Sequence, residues 1–114
     1  MSESLWTTVD AARAWLDEHN GRGDAELTCR ILKLGEEVGE ASSAWIGALG
    51  QNPRKGVTHT RADVAAELAD VAITALVAIA SLGFDPRTVV DRAAAKVDAR
   101  SETVAHGVRV ESDE

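Results

Sequence analysis

The chain has 114 residues and a mass of 12.1 kDa, which suits one compact domain and leaves no room for two. Hydrophobic residues make up 45% and charged residues 27%, a globular balance that excludes a wholly disordered chain. The net charge of −7 excludes the basic surface that nucleic-acid phosphates require.

The apolar share is small in volume, with 20 alanines against three Trp, one Phe and no Tyr. Alanine favours helix and close packing but buries little area per residue, so a lone protomer is marginal and self-association is expected. A single cysteine, Cys29, permits neither an internal disulfide nor a multi-cysteine metal site, and is expected buried and inert. The opening Met1-Ser2-Glu3-Ser4 is acidic and unlike a secretion signal. The apolar run Val71 to Leu82 is short for a bilayer. These features lead us to expect a cytoplasmic protein with no membrane partner.

In chain order, Thr7 with Asp10 predicts the start of a first helix, which stops at Asn20-Gly21. Trp6 then precedes that helix as a hydrophobic staple. Asp24 predicts the cap of a second helix, whose Leu27, Ile31, Leu34, Val38, Ala41 and Trp45 keep three-to-four spacing up to Leu49-Gly50. Trp45 falls on that stripe and is expected in the core. Residues 50–59 read as a polar loop, in which Arg54 and Lys55 are cations within reach of a phosphate or simply solvated.

Thr60 with Asp63 predicts a capping box opening a third helix, Arg61 to about Leu82, ended by Gly83. From Val71 onward it is apolar on nearly every side, as a helix covered from several directions would be. Asp85-Pro86 predicts a fourth helix that fades after Val104. Four helices without an alternating strand pattern predict an all-α fold, an antiparallel four-helix bundle occupying residues 1–105, with an acidic, disordered tail at 106–114.

The acids of helices two and three are the informative feature. Glu36, Glu37 and Glu40 lie within about one turn, and Glu67 and Asp70 repeat the three-residue spacing. Glu37 and Glu40 border the stripe of Leu34, Val38 and Ala41, while Glu67 and Asp70 border that of Val64, Leu68 and Val71. Antiparallel packing through these stripes would bring four carboxylates to one seam. Like charges so close must take up protons or a hard divalent cation, and magnesium fits an all-carboxylate site with water completing the shell. A solvated acidic face is the plainer alternative for either pair alone. Gly35 and Gly39 cost helix stability relative to alanine and cut a notch that a helix or a ligand could enter.

The string Lys33-Leu34-Gly35-Glu36-Glu37-Val38-Gly39-Glu40-Ala41, followed by Glu67-Leu68-Ala69-Asp70-Val71, resembles the MazG-like all-α nucleoside triphosphate pyrophosphohydrolases. The resemblance covers helices two to four. It implies hydrolysis of a nucleoside triphosphate to the monophosphate and pyrophosphate by a homodimer or homotetramer, with Mg2+ as cofactor and Mn2+ as a substitute. By position, Glu37, Glu40, Glu67 and Asp70 would be the metal ligands, and Glu36 would hold a water on the metal or act as general base. Lys96 fits the last-helix pattern, but Arg100 stands where that pattern has Asn and Thr103 where it has Arg. Lys96 and Arg100 share a face with Arg92 and could bind phosphate, as could Lys33, although Lys33 is also placed to pair with Glu37. Two other readings remain: a phosphoribosyl-ATP pyrophosphatase-type hydrolase, and a non-catalytic helical oligomerisation module. No His follows a Glu at i+3, so the di-iron bundle signature is missing.

Overall fold

A computed structural model describes the backbone of residues 2–113 and the side chains of residues 2–101. Four helices follow one another: α1 (Glu3–Asn20), α2 (Asp24–Leu49), α3 (Arg61–Ser81) and α4 (Pro86–Asp113). The described residues contain no strand, so the all-α expectation holds. The chain divides into two compact units, Met1–Phe84 and Asp85–Glu114.

In the first unit α2 packs along α3, and α1 rests against α3. The core is made of small side chains: Val9, Ala41, Ala44, Leu76, Ala78 and Ala80 are buried. Alanine at the contact lets helix backbones approach closely, at the cost of little apolar area per residue. The paired ends are tied by polar bonds. Arg30, near the start of α2, is buried and donates through Nη1 to Asp17 Oδ1 at 2.8 Å and to Ser81 Oγ at 3.0 Å. Its Nε donates to Glu26 Oε2 at 2.7 Å and its Nη2 to the Gly21 carbonyl at 2.9 Å. One guanidinium thus joins the end of α1, the start of α2 and the end of α3, which sets α2 and α3 antiparallel.

Local chemistry explains most boundaries. Gly21 takes a φ of 75° to end α1, and Gly50 takes a left-handed φ of 65° to end α2. Thr60 caps α3 reciprocally: its Oγ1 accepts from the Asp63 N–H at 3.1 Å, and Asp63 Oδ2 accepts from the Thr60 N–H at 2.9 Å. Those bonds hold the Asp63 carboxyl below its ordinary range. In the second unit, Asp85 accepts from the Thr88 hydroxyl at 2.7 Å ahead of Pro86, and this bond lowers its carboxyl in the same way.

Several expectations are corrected. Helix α1 begins at Glu3 after Ser2, so Thr7 lies inside it, where its hydroxyl donates to the Glu3 carbonyl at 3.1 Å rather than capping. Trp6 is likewise helical and no staple outside the helix. Gly23, not Asp24, is the cap of α2, and Asp24 is its first residue. Cys29 is exposed. Trp45 is also exposed, with the Arg61 guanidinium 5.3 Å from its ring centroid, a cation–π pair at the surface instead of a core contact. The 21 residues of α3 make it long and apolar enough to cross a membrane by length and composition, although the run Val71 to Leu82 alone is short. The backbone of α4 runs on to Asp113, so the expected fading after Val104 is corrected, while the side chains of the expected tail at 106–114 lie outside the described residues.

Candidate metal centre

Glu37 projects from the middle of α2, one turn after Lys33 and just before the buried Ala41 and Ala44. Glu67 and Asp70 sit in the corresponding stretch of α3, three residues apart and so on one face. The antiparallel pairing of α2 with α3 brings them together: one carboxylate oxygen from each of Glu37, Glu67 and Asp70 lies within 4.8 Å of the others. Glu37 and Glu67 are half-buried, whereas Asp70 is exposed.

Such a trio is costly without a counter-charge. Among the described residues only Lys33 faces it with an ion pair, Nζ to Glu37 Oε1 at 3.4 Å, and this bond is exposed at the lysine end. Glu67 Oε2 is buried and accepts from no N–H or hydroxyl group among the described residues, with the Glu40 carboxyl in hydrogen-bonding reach of the Glu67 side chain. A buried carboxylate oxygen lacking a donor loses its hydration without replacement. Glu40 stands beside the trio. The charge of Glu37 raises its carboxyl above the ordinary range, followed by desolvation and by the charges of Glu67 and Glu36.

The donor set is all hard oxygen, and the orphaned Glu67 Oε2 is the atom that such a set leaves for a cation. These residues therefore fit Mg2+, which binds one or two carboxylates together with water and substrate phosphates. Glu36 is exposed and close enough to Glu40 to act on its charge. Lys33 is engaged with Glu37, the pairing that its spacing allowed. Lys96 and Arg100 belong to the second unit, where both are exposed and Arg100 Nε donates to the Lys96 carbonyl at 3.5 Å. A Cβ on Gly35 or Gly39 would meet no atom within 4 Å, so among the described residues no side chain fills the notch they cut.

Sequence reasoning did not single out Arg30 or Ser81. The Glu26–Arg30 spacing of four is visible in sequence, but the bonds from Arg30 to Asp17 and Ser81 span 13 and 51 residues and leave no local signal. No family model matches the chain, and neither a curated protein nor a solved structure matches it.

Proposed function

We propose that this protein is a magnesium-dependent nucleoside triphosphate pyrophosphohydrolase of the MazG-like kind, releasing the nucleoside monophosphate and pyrophosphate. The observation that carries the reading is the buried, donorless Glu67 Oε2 within a trio of carboxylates drawn from two helices. A solvated acidic face would leave no carboxylate oxygen buried. Glu37, Glu67 and Asp70 would hold the cation, with Glu40 completing the set. Bound magnesium supplies positive charge to the phosphate oxygens and to the leaving pyrophosphate.

The chain's own groups do the rest. Glu36, exposed beside Glu40, accepts a proton from the attacking water at its carboxylate. Lys33 holds Glu37 in place through their ion pair; Lys96 and Arg100, exposed in the second unit, are that unit's candidate phosphate ligands. The active form is proposed to be a homodimer or homotetramer, cytoplasmic, with no nucleic-acid or membrane partner.

Pyrophosphate release across a panel of nucleoside triphosphates, in magnesium and in chelator, tests this. Magnesium-dependent release is expected. A folded protein that releases none, from these or from phosphoribosyl-ATP, would leave the helical oligomerisation module as the better reading.

A further inference from the structure

A second concavity lies where the loop after α2 folds back on the helix, a pocket of about 270 Å³ lined by Ser43, Ile46, Gly47, Gln51, Asn52, Lys55, Gly56, Thr58 and His59. Its make-up departs from that of the chain. Among the described residues no acidic side chain lines it, while Lys55 and His59 do. Lys55 is exposed and its ammonium makes no ion pair among the described residues.

The local bonds consume acceptors and leave donors. Asn52 Oδ1 accepts from the Arg54 N–H at 3.0 Å, and the Asn52 carbonyl accepts from the N–H groups of Lys55 and Gly56. The Asn52 side chain is left with its Nδ2 hydrogens to offer. The carbonyls at the end of α2 are spent too: Gly47 O accepts from Gly50 and Thr58, and Ile46 O accepts from Gln51. Thr58 Oγ1 and His59 Nδ1 are hydrogen-bonded at 2.8 Å. With the threonine as donor, the imidazole proton sits on Nε2, a further donor. This pair rests directly on Gly47, where an added Cβ would collide with both Thr58 Oγ1 and His59 Nδ1. A glycine in this turn of α2 is what lets the loop seat there.

The geometry points to a binding site for an oxyanion of the phosphate class, held by Lys55, the Asn52 amide and the His59 ring. A cation combined with neutral N–H donors, with no carboxylate in the lining among the described residues, is the pattern that recognises such a group; Asp63, whose charge acts on His59 from outside the lining, keeps an oxygen in the α3 cap. The site stands apart from the carboxylates of Glu37, Glu67 and Asp70, and does not depend on what they do. Ser43 and Gly47 fall on the same side of α2 as Glu36 and Glu40 by their spacings of seven and four, with Gly47 about 10 Å along the axis from Glu40.

Titration of the full-length 15N-labelled protein with inorganic phosphate and with pyrophosphate, in chelator and against chloride at equal ionic strength, tests the proposal. Chelator silences any cation-dependent binding at the carboxylates, so failure of one site is not read as failure of the other. Saturable shifts in the amides of residues 51–59 are expected for the phosphates and not for chloride. Lys55→Gln should weaken binding about tenfold, the scale of one charge-assisted hydrogen bond. Asn52→Asp, which keeps the acceptor for Arg54 but replaces the donor by a charge, should abolish it. Both lie on the surface loop, and unchanged amide spectra elsewhere confirm the fold. A nucleoside monophosphate titrated alongside tells whether the anion is taken free or as part of a nucleotide. Equal responses to phosphate and chloride, or variants that titrate like the parent protein, would overturn the assignment.

Discussion

At the scale of single residues, two groups of charges have opposite fates. Around Arg30 every carboxylate is answered: the guanidinium bonds hold Asp17 and Glu26 below the usual carboxylate range, Arg13 also bonds to Asp17 at 2.7 Å, and Arg22 lies 3.4 Å from it. A depressed carboxyl contributes stability that is present above its unfolded pKa and lost as pH falls through the folded one. Acid should therefore loosen this junction first, below the ordinary carboxylate range. Arg30→Met removes the shared donor and leaves both acids and the Ser81 hydroxyl facing a thioether. We expect a loss of about 3 kcal/mol, the low end for breaking a buried pair because Asp17 and Glu26 keep some water. Urea unfolding at neutral pH reads it, and the difference from the parent should shrink at acid pH. Around Glu67, among the described residues, only Glu37 is answered, by the exposed Lys33. Glu40→Gln and Asp70→Asn each keep shape and lose charge, so both should abolish most pyrophosphate release and the magnesium-dependent rise in melting temperature while leaving helical circular dichroism intact. A variant with near-parental turnover would remove that residue from the cation's shell.

At the scale of elements, boundaries were legible where their cause is local. The Thr60–Asp63 box opening α3, the Gly21 and Gly50 ends, and the Asp85-Pro86 start of α4 are each written in a few adjacent residues. Thr60→Ala removes one half of the box and should cost about 1 kcal/mol in chemical denaturation, with no change in the helix count. Legibility failed where side-chain placement decides. Thr7 looked like a cap because threonine and a following acid fit the motif, yet its hydroxyl is satisfied inside α1 by the Glu3 carbonyl. Trp45 kept the spacing of the α2 stripe, but its ring is held under Arg61 at the surface. The acidic pairs were found by spacing alone, and their meeting required only that α2 and α3 pack. That Glu67, alone among the described residues, would have a buried oxygen with no N–H or hydroxyl donor required the packing itself. Arg30 was invisible because its partners come from three helices.

At the scale of the whole molecule, apolar surface is left over. In the first unit a cleft lined by Val38, Ala41, Trp45, Val64, Leu68 and Val71 runs between α2 and α3, and Val38 and Leu68 are about half exposed. Ile31, Leu32, Ile46, Leu49 and Ile73 are exposed as well. A patch of this kind is rarely left to water, and a symmetric copy of the chain is the commonest cover. Light scattering on dilute protein should give a mass of at least two chains, with assembly and activity lost together. A folded, active species at 12.1 kDa would refute it.

The Arg30 junction also makes the α2–α3 pair a lever. It pins one end of the pair, while Glu40 lies ten residues further on, about 15 Å along the axis. A swing of about 5° at the pin displaces the far carboxylates by roughly 1.3 Å over that arm. Oxygen shells around Mg2+ and Ca2+ differ by only about 0.3–0.5 Å in bond length. The tightness of a joint that never touches a ligand would thus govern which ion the acids can grip. Ser81→Ala, which loosens the pin but keeps the Arg30 charge paired, should narrow the preference for Mg2+ over Ca2+ in competitive calorimetric titration. An unchanged ratio would mean that the two ends of the arm are mechanically independent.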